Sequence, residues 1–106
     1  MGELIELEGE GFAARDRFSL REDLVVEEVD DEFLILDLNH NTYFGLNGVG
    51  RRIWEGMAAE KTFEEIVDWI CEDYEVAREE ASADVRDFIA EVLDQKLARR
   101  LARPKP

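Results

Sequence analysis

Residues 36–54 read LDLNHNTYFGLNGVGRRIW, and this stretch decides the fold. Its polar centre, Asn39-His40-Asn41, indicates a tight turn, because Asn tolerates a positive φ better than most residues. The aromatic and apolar residues of Thr42–Leu46 then predict a short strand. At Asn47 the spacing of apolar residues changes from two to about 3.6, so Asn47 is expected to cap a helix. The stretch therefore predicts two strands joined by a turn and followed by a helix.

Two strands are expected before the strand Thr42–Leu46. Leu24–Val29 is rich in β-branched residues and ends at the turn pair Asp30-Asp31. The next segment, Glu32–Leu38, is almost continuously apolar, which is typical of a strand covered on both faces. The three segments together predict an antiparallel meander.

Three helices are expected after the strands. The first begins at Asn47 and turns Ile53 and Trp54 toward the core, although its three glycines weaken it. The second begins with a capping box, in which Thr62 caps the helix and a Glu three residues later reaches back. It is expected to end near Tyr74.

The third helix has the clearest amphipathic spacing and is expected to run from Arg78 or Glu79 to about Arg100. Its apolar positions are Val85, Phe88, Ile89, Val92, Leu93 and Leu97. Arg99 and Arg100 would then lie at the negative end of the helix dipole. The predicted class is α+β, a winged helix-turn-helix with a three-stranded antiparallel sheet followed by three helices. One sheet edge is expected beside the last helix.

The 106 residues suffice for one domain with a modest core. Residues 1–18 have weak periodicity and are expected to form a flexible acidic N-terminal arm. The domain is expected to span residues 19–101, with residues 102–106 as a C-terminal tail. No apolar run approaches the ~20 residues of a membrane helix, and the acidic start does not resemble a secretory signal. The expected compartment is therefore the cytoplasm, with no membrane partner.

Acidic residues dominate the composition, with 27 Asp and Glu against 13 Lys and Arg and a net charge of −14. This balance argues against binding to nucleic-acid phosphates, which requires clustered bases. Glu60–Asp94 holds thirteen acids and three bases, whereas Gln95–Pro106 holds five bases and no acid. The acids form either a solvated outer face or a surface that attracts a basic peptide or enzyme segment.

Residues for catalysis or metal binding are scarce. Cys71 is the single cysteine, so an intrachain disulfide is excluded, and it is expected in the core. Together with the single histidine, His40, it cannot complete a zinc site within one chain. No carboxylate, serine or glycine motif has the spacing of a catalytic or phosphate-binding site. A non-catalytic protein without metal or cofactor is expected.

The ordered segments resemble the PqqD-like family. Residues 36–54 resemble its strand, polar turn, aromatic strand, Leu-Asn, Gly and Ile-Trp pattern. Thr62–Val67, Asp73–Val76 and Asp84–Leu93 are similar to its second helix, connector and third helix. Ala77-Arg78 stands where relatives often have Asp-Pro, which changes a cap rather than the fold. The resemblance implies a recognition domain for the leader of a ribosomally made precursor peptide. It also implies a modifying partner, either a radical S-adenosylmethionine enzyme or a lasso-peptide leader protease.

The resemblance further implies that the leader adds as a strand beside Thr42–Leu46 and lies against the third helix. An edge strand has unpaired backbone groups that suit such an addition. The expected peptide-binding residues are Thr42, Tyr43, Phe44, Gly45, Leu46, Asp84, Val85, Phe88, Ile89 and Val92. An aromatic strand and an apolar helix stripe more often belong to a core than to a binding site, so both roles stay open.

Two other functions are compatible with the sequence. A winged-helix DNA-binding regulator is the first, and the acidic charge argues against it. A structural subunit of an enzyme complex is the second. Exposed strand edges also permit a strand-exchanged homodimer.

Overall fold

The computed structural model describes residues 12–101 and contains two small sheets and three helices. In chain order the elements are β1 (Phe18–Leu20), β2 (Val25–Val29), β3 (Glu32–Asp37), β4 (Thr42–Leu46), α1 (Gly48–Ala58), α2 (Phe63–Tyr74), α3 (Arg78–Asp94) and β5 (Ala98–Arg100). None of the helices in this part of the chain is long and apolar enough to cross a membrane.

The larger sheet has the order β2-β3-β4, and both pairs of strands are antiparallel. Val26 lies opposite Ile35 and Ile35 opposite Phe44, so these three side chains share one face. The chain reverses at Asp30 and Asn41, whose φ angles are 56° and 57°. Asp and Asn adopt this left-handed region more readily than most residues. The predicted meander is confirmed, with strand limits within one residue of those expected.

The helices cover only one face of this sheet. Ile35 faces them and is 1% exposed. Leu34 and Leu36 point the other way and stay half-buried, and Leu38 is 67% exposed just after β3 ends. The prediction of a strand covered on both faces is therefore met only in part. The apolar run arises because β3 is the central strand, flanked by a neighbour on each side.

A second sheet, formed by β1 and β5, was not predicted. The two strands pair antiparallel, with Ser19 opposite Arg99. Helix α3 stops at Asp94 because Lys96 takes a left-handed φ of 63°, and the Leu97 N–H then donates to the Val92 carbonyl at 3.1 Å. The predicted extension of this helix to residue 100 is wrong. Leu97 is buried beyond the helix, and the arginines after it lie on a strand instead of at a helix end.

The predicted starts of all three helices are confirmed, and the first two have the predicted caps. The Asn47 side-chain carbonyl accepts the Gly50 N–H at 2.7 Å and caps α1. Thr62 and Glu65 form the capping box of α2, with bonds of 2.8 and 3.1 Å. Helix α3 starts at Arg78 without a side-chain cap. Its first turn must therefore be stabilised by packing rather than by capping.

Helices α1 and α2 approach closely at Gly56. A Cβ atom at this position would lie 2.8 Å from Cγ1 of Ile66, which is itself fully buried. A glycine is therefore needed here for the two helices to pack, even though it weakens the isolated helix.

The last residues of the expected N-terminal arm belong to the packed domain. Phe12 and Phe18 are buried, and their rings meet edge to face at 5.5 Å. Phe12 also contacts Phe63 at the start of α2, with ring centroids 5.8 Å apart. Asp16 is 0% exposed, and its backbone carbonyl accepts the Phe63 N–H at 2.8 Å. Residues 1–11 of that arm and the tail 102–106 lie outside the described residues.

Candidate functional site

Strand β4 has one free edge. It pairs with β3 on one side, and no strand among residues 12–101 pairs with its other side. Thr42, Tyr43 and Gly45 are exposed, with Tyr43 at 74%. A free edge presents a row of backbone N–H and C=O groups that an extended chain can pair with. The strand is five residues long, so side-chain contacts must supplement the backbone bonds.

An aromatic pair connects β4 to helix α3. The rings of Phe44 and Phe88 lie 6.0 Å apart at an angle of 64°, an edge-to-face arrangement, and both side chains are half-buried. The Phe88 ring also lies against α1 at Gly50, where a Cβ atom would be 3.1 Å from Cε1. Glycine at this position therefore sets how closely Phe88 approaches α1.

Two depressions lie near β4, and the second is lined in part by residues of the strand itself. The first, about 320 Å³, lies between α1 and α3, and it is lined by Asn47, Val49, Gly50, Ile53, Asp84, Asp87 and Phe88. The second, about 730 Å³, lies on the opposite side of the strand beside Leu34, Tyr43 and Gly45. We call the free edge of β4 together with Phe44, Phe88 and the first depression the β4–α3 groove.

The predicted binding residues divide into two groups by exposure. Thr42, Tyr43, Gly45 and Asp84 are exposed, and the aromatic pair is half-buried. The rest are buried, with Leu46 at 8% exposure and Val85, Ile89 and Val92 at 0%. These four side chains belong to the core that joins the helices. Peptide contact by any of the ten residues stays a prediction.

Asp87 was absent from the predicted set although it lines the depression with Asp84. Its position three residues after Asp84 places both on one side of α3, and this spacing is visible in the sequence. Asn47, Val49 and Gly50 were also missed as lining residues. Their part in the groove depends on how α1 packs against α3, which no local pattern encodes.

A polar cluster holds the turn that leads into β4. Arg21 donates to Asp37 at 2.8 Å and to Asp23 at 2.6 Å, and His40 Nδ1 lies 2.9 Å from the same Asp37 carboxylate. The hydrogen bonds from Arg21 lower the pKa of Asp37 from 3.8 to about 2, and the contact with His40 acts in the same direction. Asp37 is 4% exposed, so its charge is stabilised by these partners rather than by water.

No group of three or more His, Cys, Asp or Glu residues within 12–101 is arranged to hold a metal ion. Cys71 is a half-buried free thiol on α2 that packs against the core. The expectation of a wholly core cysteine is therefore met only in part.

Comparison with known proteins identifies the family. The model of the family described as coenzyme PQQ synthesis protein D (PqqD) matches residues 32–98. The chain belongs to the PqqD family. The matched range includes all of β3, β4 and the three helices, and therefore the whole β4–α3 groove.

Two solved structures share this PqqD fold, a winged helix-turn-helix as predicted. The structure of TbiB1 in complex with the TbiA(beta) leader peptide is 39% identical in sequence, with a TM-score of 0.70. The match covers 80% of this chain and 99% of TbiB1. The structure of lasso peptide synthetase B1 complexed with its leader peptide is 22% identical, with a TM-score of 0.72. It covers 78% of this chain and 98% of that one, and it supports the fold alone. The curated proteins contain no match to the chain.

Proposed function

We propose that this protein is a non-catalytic peptide chaperone that binds the leader of a ribosomally made precursor peptide. The leader adds as a strand to the free edge of β4 and lies in the β4–α3 groove. One observation carries this proposal: the free edge of β4 lies beside the aromatic pair Phe44–Phe88. The chain shares its fold and 39% of its sequence with TbiB1, whose structure contains a leader peptide. Backbone hydrogen bonds to β4 supply affinity, and the groove selects side chains.

The expected client is a precursor peptide with a leader, because TbiB1, at 39% sequence identity, is a leader-peptide complex. The partner is then an enzyme of the cytoplasm, where precursors are made, either a radical S-adenosylmethionine enzyme or a lasso-peptide leader protease. A DNA-binding role fits poorly, since the exposed side of α3 carries acids where a recognition helix requires bases. Binding of this kind requires neither a cofactor nor a homodimer.

Calorimetric titration of the full chain with the TbiA(beta) leader peptide tests the proposal. We expect micromolar or tighter binding, together with slower amide hydrogen exchange in Thr42–Leu46. The other edge strand, Val25–Val29, is the internal control and its exchange rates should stay unchanged. Absence of heat and of protection in β4 would contradict the proposal, as would equal protection of both edge strands.

A further inference from the structure

Helix α3 carries a row of acids on the side that faces the groove. The five residues recur at spacings of three and four, so they share one helix face, and all five are exposed. They are Glu80, Asp84, Asp87, Glu91 and Asp94. Phe88 is one turn from Asp84 and adjoins this face, and two acids of the row, Asp84 and Asp87, line the first depression of the β4–α3 groove.

These acids are not neutralised within the described chain. None of the five forms a salt bridge with a residue of 12–101, whereas acids of α1 and α2 are paired: Glu55 and Asp73 with Arg52, and Asp68 with Arg78. Like charges three and four residues apart destabilise a helix. Glu80 lies in the first turn, where the helix dipole favours an acid. The repulsion among the other four is not offset by a salt bridge within residues 12–101, and a ligand of opposite charge would relieve it.

The depression between α1 and α3 combines this charge with an apolar floor. Val49, Ile53 and Phe88 line it together with Asp84 and Asp87. A strand added to β4 turns alternate side chains toward the helices, so residues of one face are separated by an even number of positions. If one such side chain packed on the Phe44–Phe88 pair, another on the same face would be available to pair with the two carboxylates.

We propose that the groove selects leaders that carry a Lys or Arg an even number of residues from an apolar anchor. The anchor packs on Phe44 and Phe88, and the basic side chain pairs with Asp84 and Asp87. This rests on the proposed leader binding and defines the chemical class of leader that is bound. The net charge of −14 adds a long-range attraction that speeds the encounter with such a peptide.

Selection from a displayed library of random twelve-residue peptides on the immobilised full chain tests the proposal. Peptides that the TbiA(beta) leader displaces should be enriched in Lys or Arg at even separation from an aliphatic or aromatic residue. Replacing that basic residue by Gln should weaken binding about three- to tenfold, as expected for one or two partly exposed ion pairs. The loss should shrink as salt is raised.

The pairing itself is tested by a double-mutant cycle. In the variant Asp84→Asn/Asp87→Asn the Lys and Gln peptides should bind equally. The variant Glu72→Gln/Glu79→Gln makes the same charge change at two exposed acids outside the depression, and it should keep the difference between the peptides. A difference that survives Asp84→Asn/Asp87→Asn, or that the control variant also removes, overturns the pairing. If the TbiA(beta) leader binds while no basic enrichment is found, only the pairing fails. If no peptide binds, the proposed function fails with it.

Discussion

Among residues 12–101, the two outer strands of the larger sheet, β2 and β4, each pair along one edge only, but their surroundings differ. Strand β2 packs on β3 and meets the helices through an exposed ion pair between Glu28 and Arg51 at 3.1 Å. Its Val26, on the same face as Ile35, stays 46% exposed. Strand β4 lies against α1, and its Phe44 packs on α3. A free edge alone can pair non-specifically with any extended chain. Specific binding at β4 therefore depends on the helices beside this strand.

Removing the contact between Phe44 and Phe88 should cause the largest loss of leader affinity at the β4 edge. Phe88→Ala takes away the half-buried ring on which a leader side chain is expected to pack. Affinity for the TbiA(beta) leader should fall about ten- to a hundredfold, as for a central aromatic contact. Calorimetric titration measures the loss, and thermal unfolding shows whether the variant stays folded.

Val26→Ala is the matched control for Phe88→Ala. It removes apolar surface beside the β2 edge and should leave leader affinity unchanged. An equal loss in both variants would mean that the two edges do not differ, and that the apolar groove is not what directs the peptide.

Features of this site that depend on neighbouring residues in the sequence were predictable, whereas contacts between segments distant in the sequence were not. The sequence assigns Phe44 to a strand face and Phe88 to a helix face, because period-two and period-3.6 patterns each mark a local face. The structure then brings the two rings to 6.0 Å. The β1–β5 sheet was missed because its strands have three residues each, too few to show alternation of apolar and polar residues. The left-handed residue of the turn before β5 is Lys96 rather than a glycine, so the sequence gives no turn signal there. The burial of Val85 could not be predicted in this way, because spacing identifies an apolar face but not which part of it other helices cover.

A smaller change in the shape of the groove should have an intermediate effect. In Gly50→Ala the new methyl group would lie 3.1 Å from Phe88 and 3.2 Å from the Asn47 side chain. Alanine favours the helix by about 1 kcal/mol, which offsets part of the crowding, so stability should change little. Leader affinity should nevertheless fall about three- to tenfold because the Phe88 ring must shift, a modest loss on the affinity scale.

Gly45→Ala provides the comparison for this change. Its methyl group would make an ordinary 3.6 Å contact with Leu34 on the other face of β4. Titration of both variants with the TbiA(beta) leader should show the larger loss for Gly50→Ala. The reverse order would indicate that the peptide uses the depression on the outer face of the sheet.

The turns at the two ends of β3 differ in whether a charged side chain stabilises them, and the dependence of the Tm on pH should show this difference. Asp37 holds the β3–β4 turn through Arg21 and His40, and its pKa is lowered to about 2 from 3.8. A lowered folded-state pKa contributes stability that is fully present above about pH 4 and is lost as the pH falls toward 2. Asp37→Asn should therefore lower the Tm at pH 7, and the gap to the unmodified protein should close on acidification.

Thermal unfolding followed by circular dichroism between pH 7 and pH 2 measures this gap. Asp31→Asn alters the β2–β3 turn, where Asp31 is exposed and no hydrogen bond or salt bridge of its side chain is found among residues 12–101. It should leave the Tm nearly unchanged at both pH values. A gap for Asp37→Asn that stays constant from pH 7 to pH 2 would show that the charge of Asp37 does not stabilise the turn.

The smallest effect on stability is expected for the salt bridge between Glu28 of β2 and Arg51 of α1. Arg51 and Glu28 are 38% and 56% exposed, and the Arg51 guanidinium also lies 4.4 Å above the Phe33 ring. Because an exposed ion pair contributes less than about 1 kcal/mol, Glu28→Gln should reduce the free energy of unfolding by no more than that. The stacking on Phe33 should persist, since it needs only the cation. Urea unfolding measures the stability change, and titration with the TbiA(beta) leader should show no change in affinity. A loss of leader affinity without a loss of stability would place the peptide at the β2 edge and reverse the assignment of the two strands.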